Sequence, residues 1–181
     1  MTVTRLIKQK SYEHVVYVLR RHPITFIPKI LLFLVLLSVP FLLFFIFREA
    51  FSEILENPIA STTLILGASA YTLGIILFFY TIFTTFYLDV SIVTNDRIVD
   101  IQQHGLFSRV SSEMDLFRIQ DVTAEVKGVF ATFFDYGTVY VQTASNHAPL
   151  IMNDISHPNH IRDSLIELSH EDRKYHNIQA E

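Results

Sequence analysis

The chain has 181 residues, half of them hydrophobic, with 16 Phe and a net charge of −4, which leaves room for a pair of membrane helices and one small domain. It contains no cysteine, which excludes disulfides, a thiol nucleophile and a Cys-ligated metal. The patterns G-x-x-x-x-G-K-[ST], G-x-G-x-x-G and G-x-S-x-G do not occur, which argues against phosphate-cradling loops and an elbow serine.

Residues 1–23 form a basic segment expected in the cytoplasm. Positions 1–29 carry Arg5, Lys8, Lys10, Arg20, Arg21 and Lys29 against a single acid, Glu13. Val15, Val16, Val18 and Leu19 suggest a short strand or a weak helix, because β-branched residues crowd there. Arg20, Arg21 and Lys29 flank the entry to the first apolar stretch. They are read as topology determinants that also attract membrane lipids. His22-Pro23 marks a break, since a residue before proline avoids the helical region.

Two apolar stretches follow, within residues 24–88. Ile30–Phe47 runs 18 residues without a charge, and Asn57–Leu88 runs 32. A helix crossing a bilayer needs about 20 apolar residues, so the spans are expected at about 24–47 and 59–86. The connection Arg48–Glu56 is short enough to force an antiparallel hairpin. Six basic residues before the first span, against one in that connection, place both termini in the cytoplasm of a multi-pass plasma-membrane protein. Pro40 is expected to kink the first helix. Gly67, Ala70 and Gly74 offer small side chains for the face that packs on it. No Asp, Glu, Lys, Arg or His lies inside either stretch, which argues against transport or proton relay.

From residue 88 the pattern changes to short alternating runs. Strands are expected at 88–93, 97–102, 110–116, 121–127, 138–143 and 150–152, with turns at Thr94–Arg97 and Gln103–Gly105 and an apolar connection over Gly128–Phe134. Such strands read as an antiparallel sandwich or barrel. Ser156-His157-Pro158 reads as a helix start, and Ile161, Leu165 and Leu168 then share one face. Residues 171–181 show no pattern and are expected to be a disordered tail. His157, His160, His170 and His176 fall on this one surface helix and its tail and do not make a converging metal site. No cofactor is expected.

Three segments carry a resemblance. Arg20–Pro23 (RRHP), Tyr87–Arg109 (YLDVSIVTNDRIVDIQQHGLFSR) and Phe117–Val141 (FRIQDVTAEVKGVFATFFDYGTVYV) resemble, in this order beside a two-helix hairpin, the bacterial pleckstrin-homology (PH) domain membrane proteins. The resemblance covers residues ~20–170. In the "G-Y-G-T" strand of that family, Asp135 stands at the first Gly here and Gly137 is retained at the second. The resemblance implies an α+β protein: a two-helix transmembrane hairpin, then a PH-like antiparallel β-sandwich or barrel over 87–170 capped by the C-terminal helix. It implies no established catalytic chemistry.

Charge argues against phosphoinositide recognition. Residues 89–181 hold seven Lys or Arg against 14 Asp or Glu, so the domain is repelled by anionic headgroups, and by nucleic acid. The expected function is a non-enzymatic, membrane-anchored interaction or scaffold module, paired with itself as a homo-oligomer or with another membrane protein. The alternative is a membrane enzyme or transport component with its site at the junction of hairpin and domain.

Overall fold

The computed structural model describes residues 10, 12–50, 57–143 and 149–179. Residues 51–56 of the expected external loop, and residues 180–181 of the expected tail, lie outside the described residues. The chain divides into two units, Pro23–Thr84 and the combination of Met1–His22 with Thr85–Glu181.

The first unit holds two helices. A 3-10 turn, Pro23–Phe26, leads into α1, Ile27–Ala50. The second helix, α2, spans Pro58–Leu88. Its start is built as physical chemistry dictates. Asn57 Oδ1 accepts the N–H groups of Ile59 (3.0 Å) and Ala60 (3.4 Å), and Pro58 follows at the first position, where its missing N–H costs nothing. Both helices are long and apolar enough to cross a membrane, and neither apolar window is buried within the protein. Several hydroxyls in α2 are satisfied within the helix. Thr62, Thr63, Ser69, Thr72 and Thr81 each donate to the carbonyl four residues back, at 2.7–2.9 Å.

α1 continues through Pro40. Proline has no N–H, so the carbonyl of Leu36 loses its helical donor. The Tyr71 hydroxyl of α2 donates to that oxygen at 3.1 Å. The cross-helix bond thus supplies a donor in place of the one that Pro40 removes. Gly67 and Gly74 share the face of α2 that carries Tyr71, but make no close contact with α1 of their own. A Cβ built on either meets nothing within 4 Å. Aromatic rings make the contact instead: Phe33 stacks on Phe79 at 4.2 Å between centroids, and Phe26 meets Phe79 and Phe83 at 5.8 and 5.9 Å.

The second unit is the strand domain. Its strands are β1 (Val15–Arg20), β2 (Val90–Thr94), β3 (Arg97–His104), β4 (Ser108–Asp115), β5 (Ile119–Glu125), β6 (Tyr136–Thr143) and β7 (Leu150–Ser156). They form two antiparallel sheets, ordered β1-β2-β3-β4 and β5-β6-β7. A single bridge, Arg21 with Ile155, joins them at one corner, and the barrel does not close. The segment Val15–Arg20 is therefore a strand of the sheet rather than part of a separate N-terminal segment. β1 pairs with β2 from Val15 opposite Thr94 to Arg20 opposite Val90, so the domain's sheet begins before the apolar helices and not at residue 87.

The expected apolar connection contains a short helix, α3, Val129–Phe134. The C-terminal helix, α4, spans Pro158–Gln179 and carries the chain well past residue 170. The expected tail is thus helical through Gln179. Residues there are bonded to the β4–β5 connection: Asp172 Oδ2 accepts the Phe117 N–H at 3.0 Å, while Arg173 donates to the carbonyls of Phe117 and Ile119. These are polar contacts, which leave no apolar periodicity to read. Ile161 and Leu165 of α4 enter the core beside Val93, Ile98, Val139 and Met152. A second buried cluster, Val90, Ile92, Val99 and Ile101, lies on the other face of the first sheet. β2 is buried along its whole length, so a strand expected to alternate is apolar on both sides.

Candidate functional site

The edge of the domain where the chain leaves β1 and re-enters β2 concentrates unusual chemistry. At Arg20 the guanidinium lies 5.2 Å over the Tyr87 ring, and Nη1 reaches the Tyr87 carbonyl at 3.4 Å. Arg21 Nη2 pairs with the buried Asp89 carboxylate at 2.8 Å, whose other oxygen accepts the Gln103 N–H at 2.7 Å. His22 donates its N–H to the Asp154 carbonyl at 2.6 Å and stacks on Tyr136, with 5.3 Å between ring centroids. Strands β1, β2, β3, β6 and β7 are thereby bonded together around the exit point.

Backbone geometry marks the same edge. Asp135, Asp154 and His157 are the non-glycine residues at positive φ among the described residues, at 48°, 55° and 51°. Asp and His tolerate this region better than most residues, and such conformations gather at functional edges. Asp135 thus takes, at the C-cap of α3, a left-handed backbone that glycine adopts without cost. Its carbonyl accepts the His157 N–H at 2.8 Å, and its carboxylate meets His157 Nδ1 at 2.5 Å.

Behind the edge, a cavity of about 20 Å³ is lined by Arg21, Asp89, Ser91, Asp100, Gln102 and Asn153, room for one water-sized group. Ser91 Oγ donates to Asp100 Oδ1 at 2.5 Å and Gln102 Nε2 to Oδ2 at 2.8 Å. Burial pushes the Asp100 carboxyl above its ordinary range, against the pull of these two donors, and the neighbouring Asp89 charge adds to the rise. A wider groove of about 730 Å³ opens from there between Ser112, Glu113 and Met114 of β4 and Leu150, Ile151 and Asn153 of β7. Every buried side-chain nitrogen and oxygen among the described residues has a partner.

The family model of the bacterial PH domain matches residues 23–169. The chain belongs to the bacterial PH domain family. No curated protein matches. Among solved structures, a DUF1696 family protein with a pleckstrin-homology domain from Shewanella loihica PV-4 is similar, at 16% identity and a TM-score of 0.37, covering 45% of this chain and 70% of that one. The family match begins after β1, which the structure nevertheless pairs into the bacterial PH domain's first sheet.

The residues singled out in the sequence of this bacterial PH domain protein fall in different places. Arg20 and Arg21 sit at the exit edge and are held by Tyr87 and Asp89. Lys29 lies in α1, while Gly67 and Gly74 lie in α2 facing open space. Gly137 in β6 is where β5 approaches. A Cβ there would collide with the Glu125 backbone oxygen and stand 3.2 Å from Pro158 Cγ. Gly137→Ala is expected to cost about 1–3 kcal/mol of stability, measured as a lower denaturation midpoint, and an unchanged midpoint would refute the close approach. Sequence reasoning missed Asp89, Asp100, Ser91 and Gln103. Their only signal was polar residues inside strands too apolar to leave them in water.

The β2–β3 turn is closed by Thr94. Its Oγ1 accepts the N–H groups of Asp96 (3.3 Å) and Arg97 (3.0 Å). Arg97 is bound by Glu13 and Glu113, at 3.0 and 2.7 Å, and Lys10 by Asp96 at 2.6 Å. His157 is bound to Asp135, and His160 lies against the Tyr17 ring at 6.4 Å. Among the described residues no three His, Asp or Glu side chains come together as metal ligands.

Proposed function

We propose that this chain is a non-enzymatic, membrane-anchored interaction module. One observation carries the reading: the two apolar helices are inserted between β1 and β2, which pair with each other. The register of Arg20 on Val90 brings the outgoing and returning chain to adjacent positions. A domain tied at both ends of a hairpin stays at one bilayer face. The basic residues of positions 1–29 favour the cytoplasmic face, in the plasma membrane, with both termini inside.

The partner is another membrane protein or a second copy. β4 ends the first sheet at an edge beside the groove, and a free strand edge of this kind takes up an extended segment. The lack of Asp, Glu, Lys, Arg or His in the apolar stretches Ile30–Phe47 and Asn57–Leu88, and the hydroxyls of α2 that bond to their own helix, favour anchoring over transport or catalysis. Specific phosphoinositide recognition is not part of the reading, because Glu13 and Glu113 already neutralise Arg97. Three measurements test it. A reporter fused after Glu181 is expected to read cytoplasmic, and a cysteine replacing Glu53 to be labelled from outside. A photo-crosslinker at Ser112 is expected to capture one discrete polypeptide, or a second copy, in native membranes. An external reading at position 181 overturns the orientation, and capture of lipid alone at Ser112 overturns the interaction site.

A further inference from the structure

Large apolar side chains protrude from the exit edge of the strand domain in two places. Phe107, in the turn between β3 and β4, is 99% exposed. In α3, Val129, Phe130 and Phe133 are 83%, 71% and 79% exposed, while Ala131 faces inward and is buried. Spacings of three and four put Phe130 and Phe133, and Val129 and Phe133, on one face of this helix. The two places are 22 or more residues apart in sequence, yet both are bonded to the exit point. Tyr136, two residues after Phe134, stacks on His22, the residue before the apolar stretch begins. At the other side, Gln103 of β3 is bonded to Asp89, and Asp89 to Arg21.

We propose that this rim is a lipid-binding surface: Phe107 and the Val129, Phe130 and Phe133 face of α3 insert into the headgroup region of the bilayer that the helices span. The inference rests on the membrane-anchored reading given above. Shape supports lipid over a protein partner. A turn tip and a single exposed helical turn are convex, whereas protein hot spots are aromatic anchors seated in pockets. An aromatic ring next to a basic residue is suited to the membrane interface, where the ring enters and the cation stays at the headgroups. Arg109 lies two residues from Phe107, and Lys127 lies two residues before Val129. The nearest acids on this rim are bound: Glu125 to Lys127 at 2.5 Å, and Asp135 to His157 at 2.5 Å. Anchoring by the helices and insertion by the rim together fix the orientation of the domain as well as its location. A hairpin alone would leave the domain free to tilt.

The chain contains no tryptophan, so single reporters can be introduced without background. The full chain is reconstituted in phosphatidylcholine vesicles, with and without bromine on the acyl chains near the headgroups. Separate variants carry Phe107→Trp, Phe130→Trp or Phe133→Trp. Tyr175→Trp, on an exposed residue of α4 near the opposite end of the domain, serves as the water-facing control. Phe44→Trp, in α1, controls for spanning. Brominated lipid is expected to reduce emission roughly twofold at 107, 130 and 133, with a blue shift, and to leave Tyr175→Trp unchanged. Emission at the three rim positions like that of Tyr175→Trp, with Phe44→Trp quenched, overturns insertion and leaves the anchor standing. A blue shift without quenching means that protein covers the rim, and also overturns it. Unquenched Phe44→Trp overturns the anchor, and the insertion with it.

Discussion

Leu165→Asp is expected to lower the stability of the strand domain by about 4 kcal/mol or more, through loss of the packed side chain and burial of an unpaired carboxylate. Leu165 is fully buried, on the face of α4 that meets the cores of both sheets. Its neighbour Ile166 is 37% exposed, so Ile166→Asp is expected to change stability by only about 0.5 kcal/mol. Denaturant melting of the full chain in nanodiscs, followed through protease sensitivity of β5–β7, distinguishes the two. Matching midpoints for the Leu165 variant and the parent chain would show that α4 does not hold the sheets together.

Arg97→Ala is expected to cost about 3–5 kcal/mol at neutral pH, the usual result of leaving one member of a buried pair without its partner. The Glu13 side chain is fully buried. Its two oxygens accept from Arg97 Nε at 3.0 Å and Nη2 at 3.1 Å, and the Lys10 N–H adds a third donor at 3.0 Å. Burial raises the Glu13 pKa, but the hydrogen bonds from Arg97 and Lys10 outweigh it and hold the carboxyl below its ordinary value near 4.5. A depressed carboxyl contributes stability above its unfolded pKa and loses it as pH falls through the folded one. The deficit of Arg97→Ala relative to the parent chain should therefore be full at pH 7 and should narrow as the pH drops below about 4.5. Melting midpoints of both proteins between neutral and acidic pH give the comparison. A deficit that is constant across that range would show that Arg97 acts through packing alone.

Hydrophobic runs made the two helices legible, because nothing but continuous apolarity is needed to specify them. Alternation located β3, β5, β6 and β7 to within a few residues, and the spacing of Ile161, Leu165 and Leu168 identified the packed face of α4. The substitution of Asp135 for a family glycine was legible as well, and it resolves into a left-handed backbone. The pairing of β1 with β2 was not legible. A strand's partner is set by register across the sheet, and here the partner lies beyond both helices. Asp89 and Arg21 share that fate, since each looks like a solvated charge until the pairing brings them to 2.8 Å. The small residues of α2 share the face that carries Tyr71, but the larger rings that contact α1 were not singled out by their spacing. The exit edge is assembled from residues at 20–22, 87–89, 103, 135–136 and 154–157; short motifs marked some of them, but no local pattern showed that they come together.

The place of β1 has a consequence for biosynthesis. The ribosome delivers this strand before either apolar helix and delivers β2 only after both. At about 5–20 residues per second, β1 waits several seconds for the strand that completes its ladder. During that wait its backbone donors and acceptors on that side are met only by water, and Arg21 has no Asp89. On the membrane-anchored reading proposed above, the pairing can form only if the chain returns to the side it left, so a nascent chain that crosses once and fails to come back leaves the two strands on opposite sides of the bilayer. On the same reading, maturation of the first sheet reports that both crossings have been made, and a half-inserted chain is left with a frayed, protease-accessible domain.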